Sequence, residues 1–276
     1  MSIFKHNQDK QIPLPNSRFL QFFYIFRINF GLLIAISITS FAFILPLLFT
    51  LIYSYTQFVS AYHNNQDANS LFSILFVTSL IMIPSTIISG IGGMGVNYIL
   101  KQLILGEYCK YSDFFVGIKL NFKSHIFFYI IHAVSIFLLI FNFATYLYID
   151  IAPIIKLLIL IFSVILFLTT TITKPYYILL SMLFENTNFI TLKNSYLIAL
   201  SKLFKNIGLC LVSISLYILY FLFNGTSRTI FTLVLILIGG SFYSLVNLLN
   251  SLNVIEKTFK KTQLKNLYHK GLIDNI

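Results

Sequence analysis

Charge is what this sequence has least of. Only 10% of the 276 residues are charged and 58% are apolar, against roughly 25% charged in an ordinary soluble domain. A soluble chain of this length would need far more polar side chains to cover its surface. Trp is absent, which leaves the 17 Tyr as the candidate interfacial anchors beside 30 Phe. Cys109 and Cys210 are the 2 cysteines. One falls in a connecting segment and the other inside an apolar run, so no disulfide is expected. Each reads as a small hydrophobe.

Catalytic signatures are missing too. The sequence contains no HExxH, no G-x-S-x-G, no Walker A loop and no Cys or His pair at metal spacing. No loop is long enough to form a soluble domain. The chain therefore reads as a non-enzyme that needs no cofactor and no metal. A net charge of +11 would suggest nucleic acid on a soluble protein. Here no RNA-binding or zinc-finger pattern accompanies it, and basic residues that orient spans and face anionic lipid account for it.

What is present is a series of long apolar runs. Six spans are expected, at about 31–55, 70–100, 124–149, 154–184, 207–223 and 229–252, each long enough to cross about 30 Å of hydrocarbon. Residues 1–30 and 253–276 read as tails, and the long lead before the first run argues against a cleaved signal peptide. All but Lys156 and Arg228 of the 19 basic residues fall on one side. That set includes Lys5, Lys10, Lys174, Lys260, Lys261 and Lys265. The positive-inside rule then places both termini in the cytoplasm of a cell membrane.

Two basic loops have helical periodicity. Tyr111, Phe115, Ile118 and Phe122 recur on one face, with Lys119 and Lys123 elsewhere; Leu192, Tyr196, Ala199, Leu203 and Ile207 do the same, with Lys205 away from the stripe. Both read as amphipathic interfacial helices leading into spans, with extensions of the spans as the alternative. The segments 114–123 and 196–205 also align without gaps, which suggests a parallel internal repeat. The expected fold is thus all-α: an integral membrane bundle of about six transmembrane helices with two cytoplasmic amphipathic helices. Phe115, Lys119, Phe122, Lys123, Leu203, Phe204 and Lys205 form a candidate docking surface for lipid, a transporter subunit or a second copy of the chain.

The second span holds the densest motif, Gly90-Ile91-Gly92-Gly93-Met94-Gly95. It fits G-x-G-x-x-G formally but lacks the strand and βαβ unit a dinucleotide site needs. Two readings stand: close helix packing on small residues, or an unwound stretch lining a solute site. Pro84 and Asn97 belong to the same candidate site. No Asp or Glu falls at the middle of a span, which argues against a carboxylate-driven proton carrier. His132 reads as a hydrogen-bonded packing residue. Asn142, Asn247 and the run Thr169 to Thr171 read as interhelical or local hydrogen-bonding groups.

The stretch Pro84-Ser85-Thr86-Ile87 to Gly92, followed by Tyr98-Ile99-Leu100-Lys101 and Gly106-Glu107, resembles the P-x-x-T-x-G-A … A-L-Y-x-V … R-G-E region of YesL-like bacterial membrane proteins. Asp113 to Lys123 is similar to their F-F-x-x-F-K-x-N-F-K segment. Pro175-Tyr176 to Phe184 and Thr191 to Leu200 are similar to Y-P-L-x-x-R-F … L-K-N-A-L-L-L-A-L. The resemblance spans residues 80–210. It departs at Phe184-Glu185, where the family often has Arg-Phe, and in extra length before Pro84. It implies at most an accessory role in carbohydrate uptake, and no functional residue carries over from it. A small permease or channel with its solute site at the glycine cluster is the alternative reading.

Overall fold

In hydrocarbon no water is available for backbone N–H and C=O groups, so an apolar run must satisfy them within its own segment, as a helix. The computed structural model describes residues 14–64, 67–219, 222–259 and 270–272. Within them the chain forms α1 (Arg18–Ile28), α2 (Phe30–His63), α3 (Ala68–Ile104), α4 (Asp113–Tyr148), α5 (Pro153–Leu183), α6 (Asn188–Ser201), α7 (Leu203–Leu219) and α8 (Gly225–Thr258, with a π turn at Leu235–Gly239). No strand occurs among the described residues. The fold is an all-α membrane helix bundle. Five helices, α2, α3, α4, α5 and α8, are each long and apolar enough to cross a membrane. The fifth expected span corresponds to α7, followed over 17 residues. Tail lysines Lys5, Lys10, Lys260, Lys261 and Lys265 lie outside the described residues.

Three expectations need correction. The region 1–30 is not all tail: Ser17 caps α1 by accepting from the Leu20 N–H. The sequence hides this helix because its pattern is inverted. Arg18, Gln21 and Ile25 are buried while Phe19 and Phe23 face outward. The first span also runs on through the uncharged polar stretch to His63, and Asp67 starts α3 by accepting from the Ser70 N–H and hydroxyl. Those bonds, the hydroxyl's first, hold the Asp67 carboxyl below its usual range.

The third correction concerns the interfacial helices. Asp113–Tyr148 is one uninterrupted helix of 36 residues, so the first basic segment is the opening turns of a span. The second is a separate helix, α6, ended at Lys202 before α7 begins. The segments matched as a repeat are therefore built differently, one inside a continuous helix and the other across a break. Of the two readings of the glycine cluster the unwound one is not seen, since α3 runs through Pro84 and Gly90 to Gly95 unbroken.

α3 is the centre of the bundle, packing along α2 and α4 and touching α1, α5 and α8. Its glycines make the close approach. A Cβ on Gly90 would lie 2.6 Å from the Tyr129 ring, on Gly95 2.6 Å from Phe114, and on Gly92 2.9 Å from Phe43. Gly117 of α4 returns the relation, receiving the Tyr98 side chain. Hydroxyl pairs stitch the same helices together: Thr50 to Ser85 at 3.0 Å and Thr78 to Ser54 at 2.8 Å. His132 meets Thr170 at 3.3 Å, and Thr170 meets Ser135 at 3.0 Å.

One end of the bundle is tied by a buried ion pair. Arg18 holds Glu256 of α8 through two contacts, Nε to Oε2 at 3.2 Å and Nη2 to Oε1 at 2.5 Å. The guanidinium also donates to Gln21 and to the Lys270 carbonyl. Gln21 in turn donates to the Ile104 carbonyl at 2.7 Å, satisfying an end carbonyl of α3. Gly106 (φ 72°) and Gly271 (φ 81°) both take left-handed backbone conformations where these segments touch. Lys270 completes the knot with Glu107 at 2.6 Å. Nearby Cys109 is buried, and burial, aided by Asp113 and Glu107, pushes its thiol up to about 12. It is a packed, unreactive thiol.

Two outcomes test this packing in detergent-solubilised protein. Gly117→Ala is expected to cost about 1–3 kcal/mol through overpacking against Tyr98. Gly208→Ala, with nothing within 4 Å, should leave stability unchanged or raise it by up to about 1 kcal/mol. In the knot, Arg18→Met should cost about 3–5 kcal/mol because it strands a buried carboxylate. Adding Glu256→Met should recover most of that loss; a double variant no better than the single one would show that the pair is not coupled.

Candidate functional site

Close packing gives way inside the bundle. Where α2, α3, α4, α5 and α8 converge, a cavity of about 230 Å³ remains. Its walls are Ser40, Ile44 and Leu47 from α2, Ser89, Gly90, Gly93, Val96 and Asn97 from α3, and Tyr129 from α4. Lys174, Pro175 and Ile178 of α5 and Gly240, Tyr243, Ser244, Asn247 and Leu248 of α8 complete it. Gly90, Gly93 and Gly240 contribute bare backbone to the wall and let Tyr129 and Ser40 approach, within 2.6, 2.9 and 3.1 Å respectively of where a Cβ would stand.

The helices supply these groups for local reasons. The π turn at Leu235–Gly239 adds a residue to one turn of α8 and resets the register of the turns C-terminal to it. Just beyond it, the Ser241 N–H donates to Ser37 Oγ at 3.1 Å, and Ser37 Oγ donates to Ser241 Oγ at 2.8 Å. This locks α8 to α2 and turns Gly240, Tyr243, Ser244 and Asn247 toward the cavity. On α5, Pro175 is accommodated without a break, so Lys174 stays helical and aligned with the bundle.

Lys174 is the charged group of the site. Its ammonium sits 5.1 Å from the centroid of the Tyr129 ring, over the ring face, an attraction to the ring quadrupole. Half-buried, it makes no ion pair and no hydrogen bond among the described residues. Asn97 is 6% exposed and also makes no hydrogen bond within the described residues. By contrast Ser40 and Ser89 donate their protons to their own helix, at Ser37 O (2.9 Å) and Thr86 O (2.8 Å). Asn247 donates to Tyr243 O at 2.8 Å. The cavity wall is mainly apolar with a few polar groups set in it, and the space is large enough for water or a small solute. No group of three or more His, Cys, Asp or Glu able to hold a metal occurs among the described residues.

The sequence-predicted site residues divide. Gly90, Gly93 and Asn97 line the cavity; Gly92 and Gly95 instead receive Phe43 and Phe114, and Pro84 is not part of the wall. Packing and cavity therefore share one cluster on opposite sides of α3. By sequence, Lys174 belongs to the end of a span and counts with the basic side. It lies well inside α5, whose helix continues to Leu183. The signal is Lys174-Pro175, a charge beside a proline within an apolar run, but such a run reads equally well as ending there.

The candidate docking residues are at the surface. Phe115 is 53% exposed, Phe122 43% and Phe204 88%. Lys119, Lys123 and Lys205 are exposed beside them, whereas Leu203 is half-buried against the core. The buried stripe of α4 is Phe114, Gly117, Asn121 and His125, not the Phe115 and Phe122 stripe. The two groups sit on α4 and α7, which do not pack on one another to any extent.

A cysteine series on α8 tests whether the cavity is wet. With Cys109 and Cys210 replaced by Ala, Ser244→Cys and Asn247→Cys should react with a small hydrophilic thiosulfonate, while Leu245→Cys, at a fully buried position, should not. Equal protection of all three would mean a dry, closed space. Compared with family models, curated proteins and solved structures, the chain matches no family model, no curated sequence and no solved structure.

Proposed function

We propose that this chain is a small multi-pass permease whose solute site is the cavity between α2, α3, α4, α5 and α8. The observation that carries the reading is an ammonium group and an unpaired amide facing an open volume inside an apolar bundle. A lysine inside a span is costly, and apolar side chains would pack the same position without that cost. Its presence beside an unfilled space is what a binding site requires and a purely structural bundle does not. Solute sites of membrane carriers commonly lie where several helices converge near the middle of the bilayer.

The distribution of basic residues supports an orientation. Among the described residues Arg18, Arg27, Lys101, Lys110, Lys257 and Lys270 belong to the end where α1 meets the C-terminal segment, and Lys156 and Arg228 to the other. Under the positive-inside rule that end is cytoplasmic and the membrane is a cell membrane.

A second reading has its own observation. The outward-facing Phe115, Phe122 and Phe204 beside Lys119, Lys123 and Lys205 suit anionic lipid or a transporter subunit. That fits the accessory role in carbohydrate uptake implied by the YesL-like resemblance. It leaves the cavity unexplained, so the permease reading is preferred.

Purified protein in liposomes is expected to pass at least one small polar solute in a panel of sugars, amino acids, organic acids and inorganic phosphate. Gly93→Leu, which projects a side chain toward Asn97 and the Tyr129 hydroxyl, should abolish that flux while the protein still folds. Absence of flux for every solute in the unmutated protein would sink the permease reading.

A further inference from the structure

We infer that the cavity takes a small hydroxylated anion, its carboxylate or phosphate seated on Lys174 and Asn97. The inference deepens the permease reading and rests on the same cavity.

Charge is the first argument. None of the described carboxylates reaches Lys174. Asp67 caps α3 and Asp150 lies between α4 and α5; Asp113 accepts from the Lys110 N–H, and Glu185 follows the end of α5. Glu107 and Glu256 are engaged with Lys270 and Arg18. The Tyr129 ring softens the cost of the ammonium but does not neutralise it. An anionic group would supply the missing counter-charge through a charge-assisted hydrogen bond, which a water-poor site strengthens.

Hydrogen-bond polarity is the second. Lys174 offers only donors. Asn97, more than nine-tenths buried and without a partner among the described residues, can add its amide N–H. The hydroxyls of Tyr129, Tyr243 and Ser244 also line the wall, whereas Ser40 and Ser89 have committed their protons to Ser37 O and Thr86 O, and Asn247 one of its amide protons to Tyr243 O. What the two serines present to the cavity is acceptor oxygen, and Asn247 adds its carbonyl. One part of the wall therefore suits an anion, and these acceptor oxygens suit hydroxyl donors on the same ligand. The volume of about 230 Å³ falls below the roughly 300–1,000 Å³ of drug-sized pockets, which limits the ligand to a small molecule or a headgroup.

That chemistry has two sources, a free hydroxy acid or sugar phosphate and the headgroup of a phospholipid such as phosphatidylglycerol. The test uses the full chain in phosphatidylcholine nanodiscs, with binding read by calorimetry. Gluconate and glycerol phosphate should bind, whereas glucose, which has matching hydroxyls but no charge, and choline should not. Lys174→Met should weaken anion binding by about tenfold or more and raise the thermal stability of the ligand-free protein, since it removes a half-buried, unpaired charge. A purely structural lysine would lose stability instead. Asn97→Ala gives a second arm should Lys174→Met fail to fold. Phosphatidylglycerol in the nanodisc that competes with gluconate would make the headgroup the source; no competition would make it a free solute.

Equal binding of glucose and gluconate, no anion binding at all, or anion binding that both variants leave within twofold would overturn the inference. Flux of a neutral sugar blocked by Gly93→Leu, with no anion binding, would leave the permease standing and remove the anion. Lys174-dependent anion binding without flux would do the reverse.

Discussion

Lipid tails are as apolar as leucine, so burial from water does little to hold one transmembrane helix against another. Cohesion has to come from close contact, and here that contact is organised on α3. Gly90, Gly92 and Gly95 admit Tyr129, Phe43 and Phe114 to within side-chain distance of the α3 backbone. Each ring gains many small dispersion contacts that a bulkier α3 would forbid. α2 and α4 take their positions from this fit, and α5 and α8 are placed against the surface that results. The hydroxyl pairs Thr50–Ser85 and Thr78–Ser54 then fix the register.

The same glycine cluster borders the cavity. Successive residues of a helix point in different directions, so Gly92 and Gly95 face α2 and α4 where aromatic rings fill the gap. Gly90 and Gly93 contribute to the wall of a space that α5 and α8 leave incompletely filled. Lys174 enters that space from α5, and the register shift of the π turn brings the polar side of α8 to it. At one end, the Arg18–Glu256 pair and Gln21 join α1, α3, α8 and the segment around Gly271 into one polar knot. Its charges are satisfied internally, while the charge of Lys174 is not. That contrast separates the stabilising lysine and arginine contacts from the one that calls for a ligand.

Much of this architecture is legible in the residues. Apolar run length marks the spans, the Asp150 to Pro153 turn separates α4 from α5 as expected, and His132 is the packed, hydrogen-bonded residue its setting suggests. The first helix is not legible, because soluble-protein periodicity places polar residues outward and α1 does the opposite: Arg18 and Gln21 turn in toward Glu256 and backbone carbonyls, while Phe19 and Phe23 turn out. Likewise the Phe115 and Phe122 stripe is as apolar as the face that packs inward, which is Phe114, Gly117 and Asn121. In an apolar bundle both faces of a helix read alike, and only small or polar residues mark the inner one.

What the sequence determined by itself is the class of molecule. Backbone satisfaction in hydrocarbon depends on the composition and length of a run, and both are local properties. What the tertiary structure decided is which glycines pack and which border the cavity, and where Lys174 stands. A packing glycine and a cavity glycine are the same residue with different neighbours, and those neighbours come from α2, α4, α5 and α8, far away in sequence. The position of Lys174 likewise depends on whether a helix continues past Pro175. Packing against the rest of the bundle settled that in favour of continuity, and so placed a charge inside it.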